Sequence, residues 1–293
     1  ALQAGRHAVD SGRRLELAGV LSKPLGEDLR QLRASDRLHL AGGHCGPAGQ
    51  PGRAAAELAF LLRACRGRPA ARPRDAATLV LLRQVRGKTT VLMGLRHGKH
   101  KFMPDQWVFP GGRVDRADGY AHSASELRNH VSNSLARTSS PHRARALAMA
   151  AVRETFEETG LILGKPVNEV PNLVPEKAAP SWRPFYEAGF APCLEDLEYV
   201  YRAVTPPFRP IRFNARFFLA DGSNLHGKLQ GDGELLNLKW VPIPKAIELQ
   251  TPPIQQIVLE ALPGLVDADG KIRRRRKVPV RIMRHGTRRL EYE

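Results

Sequence analysis

Strand-like and helix-like segments intermix between about residues 74 and 270, which predicts an α/β (α+β) domain. The runs AATLVLLRQV (76–85) and TTVLMGLR (89–96) are rich in Leu and β-branched residues and flank the turn-prone Arg86-Gly87-Lys88, the pattern of a hairpin. Two further stretches, 142–159 and 253–262, carry apolar residues at helical spacing. Shorter apolar runs at 107–109, 211–219 and 235–241 read as additional strands. The Pro-rich stretches 171–184 and 205–210 read as loops, because proline cannot donate to a ladder and biases its predecessor away from helix.

Composition narrows the class. A hydrophobic content of 42% is enough for a core, and no run approaches the roughly 18 apolar residues of a spanning helix, so a soluble chain without a membrane span is expected. The net charge of +17 lies mainly at the two ends: residues 1–74 hold 13 basic against 6 acidic side chains, and residues 271–293 hold 10 against 2. Only about +2 remains for residues 75–270, whereas a nucleic-acid reader concentrates basic charge on its folded face, so nucleic acid is not the expected partner. Cys45, Cys65 and Cys193 lack the spacing of a zinc site or a disulfide framework, which fits a reducing compartment.

Three regions follow from these texture changes. Residues 1–73, with loop-like stretches such as AGGHCGPAGQPGR and one helix-like piece at 54–65, read as a loosely structured low-complexity extension. Residues 74–270 form the domain. Residues 271–293 read as a basic C-terminal tail, in which Arg273-Arg274-Arg275-Arg276-Lys277 reads as a solvated run without aromatic neighbours for base stacking, with RNA or an anionic surface bound through phosphates as its alternative.

The chemistry is concentrated in Arg153-Glu154-Thr155-Phe156-Glu157-Glu158-Thr159-Gly160-Leu161. Carboxylates at i, i+3 and i+4 share one helical face, and such a cluster repels itself unless a cation neutralises it. Clustered oxygen ligands suit a hard ion such as Mg²⁺, which also meets substrate phosphates. A solvated acidic face is the alternative for this turn taken alone. Upstream, Phe109-Pro110-Gly111-Gly112-Arg113-Val114-Asp115 follows the apolar Trp107-Val108, and its paired glycines permit a close approach that can bring a carbonyl to a metal.

Together these segments resemble the signature of the Nudix hydrolase family, a glycine and a glutamate followed by Arg-Glu, two further glutamates and a glycine before an apolar residue. Gly112, Arg153, Glu154, Glu157, Glu158, Gly160 and Leu161 match it. The position of the first glutamate is Asp118, Thr155 stands where an apolar residue is usual, and 34 residues (119–152) replace the usual seven, an insertion at about 119–145. The insertion is serine-rich and reads as a polar excursion with a short helix at 123–136. An interrupted box after Phe102-Met103-Pro104 and FPGG is similar to the branch that includes peroxisomal coenzyme A diphosphatases, and Leu95-Arg96-His97-Gly98-Lys99-His100 is an imperfect match to that branch's additional motif.

The resemblance implies an α/β/α sandwich with a mixed β-sheet and a Mg²⁺-dependent hydrolase, with Mn²⁺ as the alternative ion. The reaction would cleave a diphosphate linkage in a small nucleoside diphosphate derivative, coenzyme A-like in the finer reading. Glu154, Glu157, Glu158 and the Gly112 carbonyl would hold the metal, and Arg153 would pair with a box carboxylate. Glu234, six residues before Trp240, is the candidate for base or additional ligand, with a loop acid as its alternative. Arg96, His100 and Lys101 are candidates for phosphate binding, each also readable as part of a basic surface loop. A second class is a Nudix-fold nucleotide- or RNA-binding module with little catalysis, and the intact acid set argues for the enzyme. With no secretory signal at the start and six acids among residues 1–74, the cytoplasm is expected, with a mitochondrial or peroxisomal location as alternative.

Overall fold

A computed structural model describes residues 71–98, 105–169, 178–267 and 269–293. The strands are β1 (Arg74–Val85), β2 (Lys88–Arg96), β3 (Trp107–Val108), β4 (Gly111–Arg113), β5 (Leu161–Ile162), β6 (Gly164–Pro166), β7 (Phe190–Pro192), β8 (Glu198–Val204), β9 (Phe213–Asp221), β10 (His226–Gly227), β11 (Leu235–Pro242), β12 (Pro279–Arg284) and β13 (Thr287–Tyr292). The helices are α1 (Asn129–Ala136), α2 (Pro141–Thr159), α3 (Arg183–Glu187), α4 (Ile243–Ile247) and α5 (Pro253–Ala261).

Nine described strands form one mixed sheet in the order β11-β2-β1-β9-β8-β12-β13, with β3 on β2 and β4 on β1. β1 runs parallel to β9 and β12 to β8, and the other pairs are antiparallel. The hairpin turn has both central residues at positive φ, Arg86 at 51° and Gly87 at 71°, which matches the twist of the strands it joins. Alternation then divides the apolar residues between two layers. Leu79, Leu81, Leu92, Phe218 and Ala220 pack with the alanine-rich face of α2. Val80, Leu82, Val91, Phe217 and Leu219 pack against the layer that holds Ala246 of α4 and Val258 of α5. A sheet buried on both faces between helices is the α/β/α sandwich expected from the sequence.

The inserted segment is not a polar excursion. Its helix is shorter than expected, at 129–136, and buries Val131 and Leu135 in the core beneath α2, while Ser125 Oγ accepts the backbone N–H groups of Leu194 and Glu195. The expected tail is also corrected. Residues 279–292 are two strands of the main sheet, because Val278 and Val280 supply apolar side chains to bury and Glu293 is seated by Tyr199 and Thr138 hydroxyls and the Arg202 guanidinium. Residues 1–70, with the helix-like piece expected at 54–65, and residues 170–177 lie outside the described residues.

Candidate active site

Helix α2 carries the acids, and its ends are defined by sequence. Ser140 caps it by accepting the Arg143 N–H, Pro141 occupies the first turn, and Gly160 ends it in the left-handed conformation (φ 70°) with its N–H on the Phe156 carbonyl. A Cβ at Gly160 would lie 2.6 Å from the Lys228 carbonyl oxygen, so glycine is also required sterically. Thr155, the departure from the usual apolar residue, is buried but satisfied, since its hydroxyl donates to the Ala151 carbonyl one turn back at 2.7 Å.

Arg153 is the hub. Its Nε and Nη2 donate to the two oxygens of fully buried Asp118 at 2.8 and 3.1 Å, its Nη2 also reaches the Arg113 carbonyl, and its Nη1 meets Glu157 Oε2 at 2.7 Å and Glu154 Oε1 at 2.9 Å. Burial works against its charge, yet Asp118, Glu154 and Glu157 outweigh that and hold its pKa above the ordinary value. Asp118 therefore fills the place of the box glutamate with a structural role. It also accepts the Trp182 indole N–H at 3.0 Å and the Asp115 backbone N–H at 2.7 Å, tying α2 to the glycine loop and to the segment before α3.

The glycine loop closes over the acids. Gly111 N–H donates to Glu158 Oε2 at 2.8 Å, and a Cβ at Gly111 (φ 153°) would strike the β1 backbone at Ala77 and Thr78. A Cβ at Gly112 would stand 2.2 Å from Glu154 Oε2, so the loop backbone and this carboxylate are in direct apposition. Burial and the neighbouring Glu157 push the Glu154 carboxyl up to about 7 despite Arg153. Burial also raises Glu157 and, more strongly, Glu158, on which Glu154 and Glu234 act as repelling charges while Arg96 and the Gly111 N–H act oppositely.

Convergence of the three acids on one point is not observed: among the described residues no three His, Cys, Asp or Glu side chains are gathered as a metal cluster. The positive partners within reach divide them, Arg153 taking one oxygen each of Glu154 and Glu157, and Gly111 N–H one of Glu158. Each carboxylate has a second oxygen, so the donor chemistry and the side-chain-free approach at Gly112 fit a hard divalent ion.

Glu234 lies at this site, where its carbonyl accepts the His97 N–H at the end of the β2–β11 pairing and its charge acts on Glu158. Arg96 is beside it, with a buried Nε that has no hydrogen-bond partner among the described residues. His100 and Lys101 lie outside the described residues. Asp232, whose charge raises Glu157, and the Asp118–Trp182 contact were not foreseen. Trp182 is 64 residues from its partner, and nothing local marks it.

A NUDIX hydrolase from Alicyclobacillus acidocaldarius, known from its crystal structure, superposes with a TM-score of 0.52 at 29% identity, over 65% of this chain and 91% of that one. A curated Caenorhabditis elegans protein named "Putative nudix hydrolase 7" is 31% identical over 163 residues, which are 53% of this chain and 46% of that protein. The chain thus spans about half the length of the curated relative it matches. No family model matches the chain. With the box assembled as loop, helix and buried Arg153, these likenesses make the chain similar to Nudix hydrolases in sequence and in fold.

Proposed function

We propose that the chain hydrolyses a diphosphate linkage in a nucleoside diphosphate derivative with the help of Mg²⁺, Mn²⁺ being the alternative ion. The observation that carries this reading is the apposition of Gly111 and Gly112 to Glu158 and Glu154 on a helix locked by Arg153 and Asp118. Glu154, Glu157, Glu158 and the Gly112 carbonyl would hold the ion, which supplies charge neutralisation at the diphosphate and a lowered pKa for water. Arg153 does not touch substrate. Saturated by five oxygens from four residues, it fixes the rotamers of Glu154 and Glu157 and so positions the ligands. Arg96, with a buried N–H directed to no described partner, is suited to a substrate phosphate oxygen, and Glu234 would serve as base or additional ligand. A coenzyme A-like substrate is the finer reading, supported by the interrupted box and the Leu95–His100 sequence.

The test is a substrate panel with Mg²⁺ or Mn²⁺: coenzyme A, NADH, ADP-ribose, nucleotide sugars, dinucleoside polyphosphates and nucleoside triphosphates, with products identified by mass. Cleavage between two phosphorus atoms in at least one member is expected. Absence of metal-dependent cleavage throughout would overturn the proposal, and cleavage of ADP-ribose but not coenzyme A would remove the finer reading alone.

A further inference from the structure

The arginine run 273–276 is incorporated into the fold rather than trailing from it. It enters with Arg273 N–H on the Leu265 carbonyl and leaves into β12, the strand next to the sheet edge. Two open cavities adjoin it on opposite sides of the sheet. One, of about 550 Å³, is bounded by Ala261, Gly264, Leu265 and the run, and the other, of about 620 Å³, by the run with His130, Asn133 and Ser134 of α1.

The carboxylates of this edge are already paired. Glu291 binds Arg284, Glu293 binds Arg202, and Glu198 binds Arg128 and His130. Asp267 accepts backbone N–H groups of its own turn. Among the described residues, Arg273, Arg274, Arg275, Arg276, Arg281 and Arg288 make no salt bridge. The register of β12 on β13 opposes Pro279 to Tyr292, Arg281 to Leu290 and Met283 to Arg288, so side-chain alternation sets Arg281, Arg288, Leu290 and Tyr292 on one face. Tyr292 is 57% exposed and Leu290 55%. Arg281 pairs with Ala203, which packs in the same layer as Leu265, so this face lies on the side of the sheet that bears the smaller cavity. The aromatic neighbour absent from the linear sequence around the run is thus supplied by the hairpin.

We propose that this edge is a binding site for single-stranded nucleic acid, with phosphates on Arg273–Arg276, Arg281 and Arg288 and a base stacked on Tyr292. Unpaired cations in an open trough suit a backbone that tracks along them, and an exposed ring beside them is the element that distinguishes a single strand from any other polyanion. The site is separate from the carboxylates: in the sheet order β12 is three strands from β1, roughly 14 Å at the usual strand spacing. It does not depend on the diphosphatase reading.

The experiment uses the full chain and a fluorescently labelled 12-nucleotide single-stranded RNA, followed by anisotropy between 50 and 200 mM salt, with duplex DNA and inorganic polyphosphate as competitors. The variants are Arg274→Ser with Arg276→Ser, and Tyr292→Ala, all at exposed positions, with folding checked by thermal melting. The double arginine variant should weaken binding at least tenfold and flatten the logarithmic salt slope by about 0.7 per lost phosphate contact. Tyr292→Ala should weaken it roughly five- to a hundredfold with the salt slope unchanged. Binding unaltered in the arginine variant would overturn the proposal by placing the contacts elsewhere, for instance in residues 1–70. An unaffected Tyr292→Ala variant, with polyphosphate competing as well as RNA, would reduce the edge to an unspecific polyanion contact and overturn it equally.

Discussion

Replacing Asp118 by Asn probes the lock on which the carboxylate geometry rests. Asp118 is wholly buried and accepts from Arg153 Nε, Arg153 Nη2, Trp182 Nε1 and the Asp115 N–H. Asparagine keeps the shape, removes the charge and turns an amide donor toward groups that are all donors. Breaking a buried ion pair from one side costs about 3–5 kcal/mol, and the lower figure applies because Arg153 retains Glu154 and Glu157. At about 2–4 °C per kcal/mol for a domain of this size, the melting temperature should fall by about 6–12 °C. Turnover of a hydrolysed panel substrate should fall by about ten- to a hundredfold, the usual effect of losing a group that orients ligands. Scanning calorimetry and steady-state kinetics read both. A melting temperature within 2 °C of the parent and unchanged turnover would show that Asp118 does not hold Arg153.

Three further outcomes are expected. Gly112→Ala puts a Cβ 2.2 Å from Glu154 Oε2, at the movable end of that side chain, so hydrolysis should drop at least tenfold with little change in melting temperature, and equal activity would refute the apposition. Because the Glu154 carboxyl is raised from 4.5 to about 7, the folded state binds more protons than the unfolded one between those values. Stability of the protein in EDTA should therefore fall as pH rises through that window, by up to about 3 kcal/mol, with Mg²⁺ offsetting the loss at pH 8; a flat or rising melting temperature from pH 5 to 8 in EDTA would contradict it. Val280→Asp buries an unpaired charge in β12 and should lower the melting temperature by more than 6 °C, whereas a free tail would tolerate it unchanged.

Legibility in the sequence followed the range of the interactions. The β1–β2 hairpin and α2 were readable because turn residues, the glycine stop and apolar periodicity lie within a few positions of the elements they define. The box acids were readable for the same reason, as spacing on one helix. What escaped depends on contacts across the chain. β8 was missed although EYVYRAV carries strand-forming residues, and β12 and β13 were read as tail because their charge masked Val278 and Val280. The division of the three acids between Arg153 and Gly111 was equally invisible, since periodicity assigns a face and not the partner that each side chain meets.

The most direct measurement is Mg²⁺-dependent turnover of Glu158→Gln on a substrate that the parent hydrolyses. Glutamine preserves an oxygen for the Gly111 N–H and removes one charge from the site. A loss of at least about 10²-fold with an unchanged or slightly raised melting temperature is the expected result. Hydrolysis within a few-fold of the parent at equal Mg²⁺ would contradict the assignment of these acids to the chemistry.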